Sequence, residues 1–239
     1  MPQRSGARRA IGSKHLTQMA VRAVLITRDA AANARELVVK PSGMAFLAVR
    51  DCERELDEIE RAIDTQIPDA LPCISRDDAR AILACVRLIT DTGRIGDLLF
   101  GVTERLRRYQ LRLAKGDTAL LGQMAAVVES MLQDIHRGFA SHDARLAWDV
   151  IRRDAQIDRA RHQLFRQHLN RKHRRDPAES IHVLLMAQAF ERSGDHAKNL
   201  AEELFHLVEG RSLWHVSPQQ QRAEFTRLAA EETKSQGQA

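Results

Sequence analysis

Apolar residues recur at steps of three and four through long segments of the chain, the spacing that lays a stripe along one face of an α-helix. The first segment runs from His15 to about Lys40, where Pro41-Ser42-Gly43 interrupts it. The second runs from Met44 to about Gln66, ahead of a turn bracketed by Pro68 and Pro72. Ser75 suits the cap of a third, with Asp77 and Asp78 in its first turn, and the pattern holds to about Leu113. Lys115-Gly116-Asp117 is the clearest break. A fourth helix is expected from about Thr118 to Phe139, and a fifth from Ser141 or Asp143 to about Lys172. The sixth starts at Asp176-Pro177, with Asp in the capping position and Pro at the first helical position, and stops near Gly210. A short amphipathic piece, Pro218 to about Glu232, follows. Alternating strand patterns are hard to find, and the fold class read from this order is all-α.

The order repeats itself: three long helices, a break, three more. At an offset of 98 residues Asp78 falls on Asp176, Arg94 on Arg192, Gly96 on Gly194, Asp97 on Asp195 and Glu104 on Glu202, so that RIGD answers RSGD. One helix earlier an offset of 101 places Glu53 on Asp154, Leu56 on Ile157 and Asp57 on Asp158. The simplest architecture is two tandem three-helix bundles related by internal duplication. We expect a basic flexible tail over 1–14, a first bundle over 15–114, a second over 117–212 and an extension with a short helix over 213–239.

Composition narrows the chemistry. Only 12 Gly and 6 Pro in 239 residues leave few turn residues, as an all-helical chain requires. No run reaches the roughly 18 apolar residues of a membrane span, and the basic N-terminus is not followed by an apolar stretch of the secretory kind. The three cysteines, Cys52, Cys73 and Cys85, are odd in number and lack CxxC spacing, which points to a reducing compartment. The net charge of +5 raises nucleic-acid binding. The basic residues are interleaved with acids, however, and the dense stretch Arg166–Asp176 carries no stacking aromatics. Nucleic acid is not an expected partner.

Three acidic pairs are spaced four apart: Glu53/Asp57, Asp154/Asp158 and Glu191/Asp195. Each pair shares one helix face, an arrangement that is mildly destabilising in an isolated helix. If the fifth and sixth helices pack as an antiparallel hairpin, four carboxylates converge, with the amide of Asn199 one turn on. Converging carboxylates repel and take up protons unless a cation intervenes, and hard oxygens on facing bundle helices suit such a cation. The alternative is a polar surface stripe balanced by Arg192 and Lys198. Gly194 would relieve crowding where the helices cross. His196 points about 100° away from Asp195 and is expected outside the ligand shell.

These residues carry a resemblance. FERSGDHAKNLAEELFHLVEG, with its degenerate copy DTGRIGD and the preceding ERELD and DAQID, is similar to the signature of the PhoU phosphate uptake regulator family. The resemblance extends from about residue 15 to 220. It implies a cytoplasmic, often homodimeric adaptor rather than an enzyme. Such an adaptor contacts a sensor histidine kinase and the ATPase of the phosphate ABC transporter, and it restrains both uptake and the starvation response. It also implies metal clusters on the acidic motifs: Asp154, Asp158, Glu191, Asp195 and Asn199 in the second repeat, and Glu53, Asp57, Asp97 and Asp91 in the first. Iron, zinc, manganese and magnesium all remain open as the metal. In the first repeat Gly93 stands in place of the family glutamate and Gly101 in place of Asn199, so the first site is expected to be the weaker.

Two other readings compete. A di-iron carboxylate oxidase needs a Glu-x-x-His motif on two helices, and Glu203 to His206 supplies one only. A nucleic-acid-binding bundle needs a contiguous basic face.

Overall fold

The structure, a computed structural model, describes residues 5–71, 75–169 and 176–211, with side chains from residue 13 onward. Among the described residues there are six helices and no strand: α1 (Ser5–Val39), α2 (Gly43–Ala70), α3 (Arg76–Arg108), α4 (Lys115–Ser141), α5 (Ala144–Leu169) and α6 (Pro177–Glu209). The all-α reading stands, and the helices form two three-helix bundles, α1–α3 and α4–α6. The expected piece at 218–232 and the end of the fifth helix near Lys172 lie outside the described residues.

Several helix ends follow the capping residues. Ser42 accepts from the Ala45 amide at 3.1 Å, Ser75 from the Asp78 amide at 3.0 Å, and Asp176 from the Ala178 amide at 2.9 Å with Pro177 behind it. Gly210, at φ 68°, closes α6.

Other ends correct the sequence reading. α1 is already helical at Ser5, inside the segment expected as a flexible tail, where alanines and arginines are strong helix formers. α2 runs through Pro68 to Ala70. A proline so close to the end removes a single hydrogen bond and leaves only a short stub to hold. α3 stops at Arg108 rather than Leu113. The Leu111 amide reaches back to the Leu106 carbonyl and the Gln110 amide to that of Arg107, both at 3.2 Å, with Gln110 at φ 48°. This is the Schellman closure, made here without its usual glycine. Lys115-Gly116-Asp117, read as a break, is the first turn of α4. Asp117 is buried there and lies 3.0 Å from His168 Nε2 on α5, a contact that anchors the turn.

The bundles share one continuous core. α1 packs against α2, α3 and α4, and its alanines at 20, 23, 30, 31 and 34 are almost wholly buried, which lets three neighbours approach it. α3 packs on α6 and α4 on α6, so α1, α3, α4 and α6 form a central layer. α2 and α5 lie outside it, each against helices of its own bundle. The spaces between α2 and α3 and between α5 and α6 are therefore equivalent.

Candidate functional site: two carboxylate clefts

Gly194 of α6 and Gly96 of α3 are points of close approach in these two crossings. A Cβ on Gly194 would lie 2.6 Å from Ile157 Cδ1 and 3.4 Å from Asp154 Oδ1, and one on Gly96 would lie 2.7 Å from Leu56 Cδ1. The duplicated glycines thus face the duplicated Ile157 and Leu56. Each missing side chain lets an outer helix settle deep enough to bring its acids beside those of the inner one.

In the second cleft, α5 supplies Asp154 and Asp158 and α6 supplies Glu191 and Asp195. Asp154 is held above the usual carboxylate range, chiefly by burial. Lys198 opposes the shift, and Asp158, Asp195 and Glu191 add to it. Glu191 is raised for the same first reason, with Arg161 opposing and Asp195 and Asp158 adding. The four acids therefore feel one another across the cleft, as the antiparallel hairpin requires. Two cations answer them: Lys198 Nζ lies 3.9 Å from Asp154 and Arg161 Nε 3.7 Å from Glu191. Both separations exceed a hydrogen bond, and Arg161 Nε is buried without a hydrogen-bond partner. Asn199 is exposed, and no contact ties it to the carboxylates.

The first cleft is built on Glu53 and Asp57 of α2 and Asp97 of α3. Glu53 is raised, first by burial and then by Asp57 and Asp97, with Arg54 opposing. Asp91 is not with them. Its Oδ1 lies 2.8 Å from His196 Nδ1 in the α3–α6 seam, because it sits six residues before Asp97 and so on another face. Glu60, which sequence reasoning passed over, lines the cleft instead. Its carboxylate lies 3.9 Å from where a Cβ on Gly93 would be. By the repeat offsets Glu60 occupies the place of Arg161, and Gly93 that of Glu191. The carboxylate lost from α3 is thus returned from α2. The signal was present: Glu53, Asp57 and Glu60 follow a four-three spacing along one face. Lys198 is answered by Phe100. Besides Arg54, Arg61 on Asp57 at 3.4 Å and Arg94 on Asp97 at 3.9 Å stand on the exposed rim.

All these donors are hard oxygens on facing helices, the kind that suits a hard cation. Among the described residues, no three His, Cys, Asp or Glu side chains converge on one point as they stand, so coordination would require the exposed acids to rotate inward. Thiolate ligation is disfavoured: burial pushes Cys52 up to about 11 and raises Cys85 too. Glu203, the candidate oxidase ligand, is buried against Arg87 at 2.7 Å on the α3 side of α6 and is not directed into the cleft. No described helix is long and apolar enough to cross a membrane.

Duplicated three-helix bundles, each with an acid-lined cleft at a glycine crossing, define a class of helical repeat protein. Residues 121–204, most of the second bundle, match the PhoU domain. A Xylella fastidiosa protein named as a phosphate-specific transport system accessory protein PhoU homolog is 30% identical over 201 residues, covering 74% of this chain and 85% of that one. A relative of the same name from Pseudomonas aeruginosa is 28% identical over 192 residues, covering 75% and 76%. The crystal structure of PhoU from Pseudomonas aeruginosa superposes with a TM-score of 0.77 at 22% identity, covering 84% of this chain and 99% of that one. That of the phosphate transport system regulatory protein PhoU from Streptococcus pneumoniae gives 0.72 at 22% identity, covering 86% and 99%. The chain belongs to the PhoU family.

Proposed function

We propose that this chain is a regulator of phosphate-specific transport and of the phosphate-starvation response. It acts as a non-enzymatic, homodimeric adaptor between a sensor histidine kinase and the ATPase of the phosphate transporter, with its clefts loaded by a hard metal ion. The relatives' names support the transport assignment. The observation that carries the metal is the recurrence of mutually repelling carboxylates at equivalent crossings of both repeats, Asp154, Asp158, Glu191 and Asp195 in one and Glu53, Asp57 and Asp97 in the other, where Glu60 also lines the cleft. Asp154, Asp158, Glu191 and Asp195 would hold the ion in the second repeat, and Glu53, Asp57, Glu60 and Asp97 in the first. A bound cation would relieve the repulsion and tie each outer helix to the central layer, fixing the surface offered to partners.

The test is elemental analysis of gently purified protein beside Glu191→Ala/Asp195→Ala and Glu53→Ala/Glu60→Ala. Each pair should lower the metal content, and the first should also derepress a phosphate-starvation reporter in the native host. Metal-free wild type would refute the metal. An unchanged reporter in a strain lacking the gene would refute the phosphate assignment.

A further inference from the structure

A separate chamber of about 710 Å³ opens at the other end of the first bundle, where the α1–α2 turn, the end of α3 and the start of α4 meet. Buried Leu37, Val38, Phe46 and Leu106 line its inner part. Val39 and Leu47 stand at its mouth, 62% and 40% exposed, an unusual amount of apolar surface to leave open. Its only charged lining residues are Arg107 and Arg112, and no acid lines it. Neither arginine forms an ion pair with a described residue. The Arg107 guanidinium carbon lies 4.3 Å from the centroid of the Phe46 ring, a cation–π contact that holds its head at the cavity wall. α4 starts beside Leu113 at the same rim with no side-chain cap from Ala114, and the acid of its first turn, Asp117, is buried against His168 and does not line the chamber, so the N-terminal amides of α4 stand beside the two arginines.

We infer that this chamber binds a small amphiphilic anion: a single hydrocarbon chain inserted over Leu37, Phe46 and Leu106, with its carboxylate or phosphate head held by Arg107 and Arg112. The charge selects the head, since the only charged lining residues are two arginines, and a guanidinium presents the fork of donors that favours carboxylate and phosphate. The size selects the tail. The volume lies in the range of small-ligand sites. A helix with its side chains is about 10–12 Å across, so it could insert no more than part of a turn. The inference is independent of the metal and phosphate readings. It assigns the joint between the two repeats a ligand of its own.

The experiment is calorimetric titration of the full chain with decanoate, decyl maltoside and decyltrimethylammonium, each below its micellar concentration. Decanoate should bind saturably with one site per chain, and the neutral and cationic amphiphiles should not compete with it. Arg112→Glu should weaken decanoate by about tenfold or more, the loss of one charge-assisted hydrogen bond, and Arg107→Gln by a similar factor. Arg76→Glu, exposed at the far end of α3 from the chamber, should leave it unchanged. Helical circular dichroism verifies folding, and Arg112→Lys retains binding in part if the charge is what matters. A parallel arm sediments the protein with phosphatidylglycerol or phosphatidylcholine vesicles. Capture by the former alone, lost in Arg112→Glu, places the anion on a membrane lipid, whereas decanoate binding without capture places it on a free acid. Absence of saturable binding in both arms, equal binding of all three heads, or indifference to both arginine substitutions overturns the proposal.

Discussion

Replacing Gly194 with alanine should destabilise the protein, although alanine is the better helix former by about 1 kcal/mol. The new methyl group would lie 2.6 Å from Ile157 Cδ1, whereas carbon atoms pack at about 3.5–4.0 Å, so one of them must yield by about 1 Å. Ile157 is fully buried and has little room to rotate, and the other side of the methyl group meets Asp154 Oδ1 at 3.4 Å. Overpacking of this sort costs about 1–3 kcal/mol. Set against the propensity gain, the net loss is about 1 kcal/mol, or about 2–4 °C in Tm for a chain of this size. Ile157→Val alone removes the offending Cδ1 at a loss of about 0.5–1.5 kcal/mol. In the double variant the clash is absent and the helix gain remains, so it should be more stable than the sum of the two single losses by about 1 kcal/mol or more. Gly101→Ala is the internal control, because nothing lies within 4 Å of its Cβ and it should therefore stabilise. Urea unfolding followed by helical circular dichroism reads all four variants. Additivity of the pair, or a Gly194→Ala that stabilises as Gly101→Ala does, would refute the close-crossing account of both clefts.

The raised Asp154 carboxyl gives a pH signature. Its native form keeps a proton to higher pH than the unfolded chain, so stability falls as pH rises from the ordinary carboxylate range through the raised one. In chelator-treated protein Asp154→Asn should therefore raise Tm at neutral pH and lose that advantage below about pH 4, while saturating metal should reverse the sign; an Asn variant less stable at neutral pH without metal would contradict it. Arg87→Met should cost about 3 kcal/mol by stranding the buried Glu203, whereas Arg87→Met/Glu203→Leu should recover most of it in thermal melts. Gln110→Gly should stabilise by about 0.5–1 kcal/mol, because a non-glycine residue at φ 48° is strained; chemical denaturation measures it, and no gain would mean that the Schellman closure is not strained.

The fold was legible because its determinants are local and periodic. Apolar spacing, Ser42, Ser75, Asp176-Pro177 and Gly210 each act within a turn or two of themselves. The missed boundaries depend on tertiary contacts. Gln110 closes α3 without the glycine that would announce it, and Gly116-Asp117 is held in helix by His168, fifty-one residues away. The second cleft was readable for a similar reason, since its acids recur at helical spacing and its facing helices are sequence neighbours. The first was misread in two places. Asp91 was counted as a ligand by proximity in sequence, though its face turns toward α6. Glu60 was overlooked because the compensation for Gly93 comes from a different helix, and an alignment of one repeat helix on its copy cannot show that.

The seam between the repeats relates the two clefts. Arg87 meets Glu203, Asp91 meets His196 at 2.8 Å, and Arg105 Nη1 lies 3.3 Å from His182 Nδ1, with Tyr109 stacked on the same imidazole at 4.0 Å. These contacts step along α3 and α6 in opposite directions, and together they define one antiparallel register. Each helix also carries a wall of its own cleft: Asp97 on α3, and Glu191 and Asp195 on α6. Sliding α6 by a single residue would part all three polar contacts at once and leave Glu203 buried without its cation. The register is therefore held firmly, and the acids of the inner walls keep a fixed spacing between repeats. Adjustment within a cleft falls instead to the outer helices α2 and α5, which touch the rest of the molecule on one side only. They are the elements free to respond when charge is added to a cleft or removed from it.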